Sequence, residues 1–109
     1  MELFRRVKNL FTSQTVEPEV LEMYRHRIPT RIFVQVRFDD HAKQWVAEIE
    51  LPNTEDHLFT ESENQDALTH MVNDAVMTYY DVPSAYAAQL AHFQNPALDQ
   101  QAKRQWKLA

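Results

Sequence analysis

The 109-residue chain contains no glycine and no cysteine. Average usage would supply about seven or eight glycines in a chain of this length. Their absence excludes a Gly-rich phosphate loop and a GxSxG nucleophile elbow. Every turn and helix end must instead use residues such as Asn, Asp, Ser or Pro. Without cysteine there is no disulfide framework, thiolate metal site or cysteine nucleophile, which fits a reducing compartment and predicts a cytoplasmic protein. Long apolar runs are also missing: no stretch approaches the roughly 18 residues that a membrane span needs. The opening MELFRRVKNLF lacks an uninterrupted apolar run followed by a small-residue cleavage site, so neither export nor membrane insertion is expected.

Acid is abundant, and unevenly placed. Residues 1 to 38 carry seven basic and four acidic side chains, residues 39 to 83 one basic and eleven acidic, and residues 84 to 109 three basic and one acidic. The net charge of −5 is therefore a strongly acidic middle between two mildly basic ends. That middle repels nucleic-acid phosphates and attracts basic proteins, and it also serves as an ordinary solvated face. The basic and aromatic group Arg25, Arg27, Arg31, Arg37, Tyr24 and Phe33 is too modest against this background to make nucleic acid the expected partner.

The length is that of one domain, enough to bury roughly two thirds of the unfolded surface. Leu3, Phe4, Val7, Leu10 and Phe11 fall at helical spacing, and Glu19 to His26 predicts a second short helix with Pro18 near its first turn. From Arg31 the period becomes two. Ile32, Val34, Val36 and Phe38 share one face of a strand, the polar stretch DDHAKQ turns the chain, and Trp45, Ala47, Ile49 and Leu51 share one face of the next. After Pro52 and a polar loop, Leu58 to Thr60 predict a short third strand. Ser62 with Gln65 has the spacing of a capping box. Beyond it, Ala67, Leu68, Met71, Val72, Ala75, Val76 and Tyr79 form one apolar stripe, giving a helix over residues 62 to 80 that ends before Pro83. Ser84 starts another helical stretch, and Leu98, Ala102 and Trp106 at four-residue spacing predict a terminal helix. The expected architecture is α+β: a three-stranded antiparallel sheet with one long helix packed on it, residues 30–83, between helical extensions at 1–29 and 84–109.

Within residues 33–80, Phe38, Asp39, Asp40, Trp45, Val46, Ala47, Leu51, Pro52, Phe59, Thr60, Asp66, Ala67 and Leu68 form a pattern of strand, Asp-rich turn, aromatic strand, proline loop, Phe-Thr and helix. This pattern resembles the HicB antitoxins, a family with a partial RNase H-like fold. The family's hairpin and loop glycines are replaced here by HAK and NTED. The resemblance implies a βββα core and a non-enzymatic protein that neutralises a small basic RNase toxin. The surface expected to face that partner comprises Asp39, Asp40, Glu48, Glu50, Glu55 and Asp56. A homo-oligomer is also expected, and an acidic chaperone, adaptor or scaffold is the alternative of the same class.

Two constellations bear on enzymatic or metal chemistry. Asp39 and Asp40 resemble the paired carboxylates of a metal-dependent nuclease, but Asp is favoured in a hairpin turn for its bonds to nearby backbone. Among the five histidines, only His70 has acids at helical spacing, Asp66 and Asp74, and zinc needs a further protein ligand. Neither a metal, a cofactor nor a catalytic set is expected.

Overall fold

The computed structural model describes residues 16–96 and 103–108. Helix α1, Pro18–Arg27, precedes the strands β1, Arg31–Asp39, β2, Gln44–Glu50, and β3, His57–Ser62. Helix α2, Gln65–Tyr79, and the single turn α3, Ser84–Ala87, follow, and the chain closes with β4, Phe93–Gln94, and β5, Lys103–Leu108. The helix expected around residues 2–12 lies outside the described residues.

The three-stranded sheet expected from the sequence is the wrong size. Five antiparallel strands run in the order β3-β2-β1-β5-β4, and the sheet curls into half a barrel with the helices beside it. The missing strands come from the tail, which extends where a helical extension was expected. Its residues carry two overlapping periods, and the four-residue series ending at Trp106 competes with Arg104, Trp106 and Leu108 at period two. The second wins because β1 offers an unpaired edge: Ile32 pairs with Trp106 and Val34 with Arg104. Backbone groups buried beside a core must find partners, and only a strand satisfies them on both sides of β1. Trp106 is 1% exposed there, and β4 adds Phe93 opposite Leu108.

The hairpin forms as the alternation predicts. Phe33 to Asp39 pair with Glu50 to Gln44 in unbroken register, placing Ile32, Val34, Ala47 and Ile49 on one face, all fully buried. Phe38 and Trp45, paired across the strands, meet edge to face at 5.3 Å between centroids. Helix α2 covers this face, contacting β3, β2 and β4.

Two details of α2 differ from expectation. Its cap is Asn64, whose Oδ1 accepts from the Ala67 N–H at 2.7 Å, while Ser62 remains in β3. Its buried stripe is also rotated: Leu68, Val72 and Val76 are inside as expected, but Asn73 and Met77 join them, whereas Met71 and Tyr79 are 36% and 37% exposed. The tail again supplies the reason. The Asn73 amide donates from Nδ2 to the Phe93 carbonyl at 3.1 Å and accepts the Phe93 N–H on Oδ1 at 2.6 Å, so it clamps β4 against that side of the helix.

Among the described residues, the glycine-free chain still enters the left-handed region three times, at Lys43, Asn53 and Asp81, with φ of 59°, 63° and 57°. Asp81 stands where helices commonly end on glycine. Its N–H reaches the Thr78 carbonyl and the Val82 N–H reaches the Met77 carbonyl, the paired bonds of a Schellman ending, with Val82 and Met77 both buried.

Candidate functional site

One face of the sheet meets α2; among the described residues, no helix covers the other. Alternation puts Arg31, Phe33, Gln35 and Arg37 of β1, Val46, Glu48 and Glu50 of β2, and His57, Phe59 and Glu61 of β3 on this open face. Lys103, Gln105 and Lys107 of β5 extend it. Acids sit toward β2 and β3, and cations toward β1 and β5. Phe59 is 61% exposed and Phe33 38%, both on this side. Single exposed apolar residues are ordinary on a protein surface, so it is the place of these two among paired charges on the uncovered face that makes them part of the candidate site.

Cross-strand register assembles the polar part of the site. Glu48 faces Phe59, and Glu50 lies between Phe33 and His57. His57 Nδ1 is 2.7 Å from Glu48 Oε2, and the Lys103 ammonium is 2.5 Å from Glu50 Oε2. The Lys103 hydrogen bond holds the Glu50 carboxyl below the usual carboxylate range. Ligand atoms of Glu48, Glu50 and His57 lie within 4.8 Å of one another, near enough to share a cation. A divalent ion there would first have to displace the Lys103 ammonium, so the geometry favours internal ion pairs on an exposed face over a metal centre.

The six acids expected to face a partner do not form one patch. Only Glu48 and Glu50 project from the open face. Asp39 and Asp40 stand at the far end of the hairpin, about 20 Å from Glu50 along six residues of extended strand and about 13 Å from Glu48 along four. Asp39 has turn duty: its Oδ1 accepts the N–H groups of His41 at 2.9 Å and Ala42 at 3.2 Å, and these bonds, Ala42's foremost, depress its pKa. Glu55 and Asp56 lie in the β2–β3 loop at the Glu50 end, both exposed. Asp56 is turned toward α2, where it accepts the Tyr79 hydroxyl at 2.5 Å, and that bond raises the pKa of the tyrosine.

The helical series Asp66, His70 and Asp74 does not converge either: among the described residues, Glu48, Glu50 and His57 are the one ligand set that gathers. His70 and Asp74 instead border a mostly apolar cavity of about 260 Å³ between α2 and the α3 turn, with His92 on its rim. The partner surface expected from the sequence did not include His57, Phe59 or Phe33. Period two assigns each of them to the open face, but only the register of β3 on β2 brings His57 to Glu48.

The fold and this face define an α+β protein whose half-barrel sheet is covered on one side and open on the other. No family model, curated protein or solved structure matches the chain. Among the described residues, no helix is long and apolar enough to cross a membrane.

Proposed function

We propose that this chain is a non-enzymatic protein-binding module that receives a small basic protein on the acid-rich part of its open sheet face. The observation that carries the reading is the uncovered Phe33 with Glu50 directly across the strand pair and Glu48 diagonal to it, an apolar anchor with two carboxylates on its β2 side. Interfaces of this kind gain affinity from a central aromatic side chain and on-rate from charge of opposite sign to the partner's. Glu55 in the neighbouring loop adds to the same pole. The resemblance of residues 33–80 to HicB antitoxins supports the same reading and gives the partner a class, a small basic RNase toxin. Asp39 belongs to the hairpin turn in this account and supplies no metal-binding carboxylate pair.

The test is calorimetric titration with the basic protein that co-purifies with the native chain. Affinity should fall steeply with salt, and Glu48→Lys combined with Glu50→Lys should lower it at least about tenfold, the loss of roughly 1.4 kcal/mol. Asp40→Lys makes the same kind of charge change at the far end of the hairpin, about 13 Å from Glu48 and about 20 Å from Glu50, and should leave binding near the parent's. An equal loss from Asp40→Lys would show attraction by net charge alone and remove the open face from the interaction.

A further inference from the structure

The two edges of the sheet are treated differently. Strand β4 is two residues long and is followed closely by Pro96, so that edge ends almost as soon as it begins. Strand β3 is the opposite edge among the described residues, six residues in unbroken register on β2, with no proline, lysine or bulge. A regular edge strand is a template for another strand; prolines, lysines and bulges blunt such edges, and β3 has none of these, keeping only the charge of Glu61 and the imidazole of His57.

The order of side chains along β3 identifies the added strand. Read outward from Phe59 in both directions, the strand places Leu58 and Thr60 on the core side, then His57 and Glu61 on the open side. An antiparallel copy of the same strand, centred on Phe59, sets Phe59 against Phe59, Leu58 against Thr60 twice, and His57 against Glu61 twice. Each opposition is favourable: an aromatic pair, two apolar contacts, and two pairings of a carboxylate with an imidazole. A shift by one residue in either direction removes the aromatic pair from the two-fold axis. The charged residues that would repel a foreign strand are thus arranged to accept this one.

We infer that β3 pairs with β3 of a second copy of this chain about a two-fold axis at Phe59, joining two half-barrels into one continuous ten-stranded sheet. The proposal stands apart from the binding of a basic partner, because it uses the strand edge, whereas the partner uses the face around Phe33, Glu48 and Glu50. It also gives Phe59 a cover. His57 of one copy then lies between Glu48 of its own sheet and Glu61 of the other. The two acid-rich halves of the open face become neighbours at the dimer axis.

A single paired strand is a small interface, so the dimer should be concentration-dependent, present at about 100 μM and dissociating on roughly 100-fold dilution. Sedimentation equilibrium on the full chain measures this directly. Because the chain has no cysteine, Phe59→Cys places one thiol per copy, and directly opposed residues of antiparallel strands have Cα atoms about 4.5–5.5 Å apart, inside the disulfide range. Under mild oxidation Phe59→Cys should become a covalent dimer at least about tenfold faster than Phe33→Cys, which sits two strands away on the same face. Glu61→Lys should shift the equilibrium to monomer, and His57→Glu combined with Glu61→Lys should restore the dimer by exchanging the charges. A chain that stays monomeric at every concentration overturns the proposal. So does equal cross-linking of the two cysteine variants, which would place association elsewhere, or a double variant that remains monomeric. Partner binding is read separately by calorimetry, and Phe33→Ala, which removes the partner's anchor two strands from the edge, leaves the Phe59 cross-link in place.

Discussion

The two faces of the sheet come from the same alternating strands and obey opposite rules. On the covered face, Ile32, Val34, Ala47 and Ile49 reach complete burial against α2 and Trp106, so stability is concentrated there. On the open face the intervening residues hold charges in pairs and leave two phenylalanines partly in water. A strand with one apolar and one polar face needs only a single covering layer, so α2 on one side of the sheet is enough to close the core. The difference teaches that the covered face is constrained by volume and the open face by chemistry. Substitutions should separate along that line.

The largest effect belongs to the covered face. Trp106→Ala removes the largest fully buried side chain, and a Phe or Trp truncation of this kind costs about 3–5 kcal/mol, a large share of the 5–15 kcal/mol typical of a domain. Chemical denaturation should show a midpoint collapse or an unfolded chain. Phe33→Ala on the open face should cost less than about 1 kcal/mol while removing the anchor proposed for the partner. Equal destabilisation by the two would mean that the open face is a second core and would dissolve the comparison.

Asn73→Ala comes next. It leaves the buried Phe93 N–H and carbonyl without the amide that brackets them, and an unsatisfied buried group costs about 1–3 kcal/mol. Hydrogen exchange offers a sharper readout than melting, since protection should drop first at Phe93 and along β5, with the β1–β2 hairpin holding longer.

That clamp also explains how far the sequence could be read. The hairpin was legible because each of its strands has one period, and the apolar set of Ile32 and Val34 admits a single register against Ala47 and Ile49. The tail was not, because Trp106 belongs to two competing periods, and what decides between them is the vacant edge of β1, some 70 residues away in the chain. Asn73 stands out in no pattern of the sequence because its partner is the backbone of Phe93, which no arrangement of side chains encodes. The open face was readable as a list of alternate residues, while the meeting of His57 with Glu48 required the β2–β3 register. The absence of glycine did carry through: Asn53 and Asp81 occupy left-handed positions as the composition demands, and Lys43 was the surprise.

Lys43 supplies a prediction of opposite sign. A residue with a Cβ carbon in the left-handed region costs about 1–2 kcal/mol unless its side chain compensates locally, as Asn and Asp do. The Lys43 side chain is exposed, and its backbone N–H bonds Asp39 O at 2.8 Å, an arrangement glycine keeps. Lys43→Gly should therefore stabilise the protein by about 1 kcal/mol, whereas Asn53→Gly should change it by only a few tenths. Thermal melts of the two variants check the ranking, and a destabilised Lys43→Gly would show that the side chain contributes at the hairpin end.

The smallest effects separate two carboxylates by the origin of their depressed pKa. Glu50 on the open face is held down mainly by its hydrogen bond from Lys103, and Asp39 at the hairpin end mainly by the Ala42 N–H, with His41 second. A carboxyl whose folded pKa lies below its unfolded value contributes stability that is complete above the unfolded pKa and is lost as pH falls through the folded one. Both residues should therefore leave melting unchanged near neutrality and contribute to a decline that begins below about pH 4. Salt distinguishes them: an exposed ion pair is screened once the Debye length shrinks to about 3 Å at 1 M, while a carboxylate bonded to its own turn is held by short, fixed N–H groups. In high salt, Glu50→Gln should follow the parent through the acid range, and Asp39→Ala should still lack part of the parent's acid-dependent loss. If salt instead erases the Asp39 difference and spares that of Glu50, the open face is the rigid one and the hairpin turn the loosely held one, which reverses the assignment of roles between them.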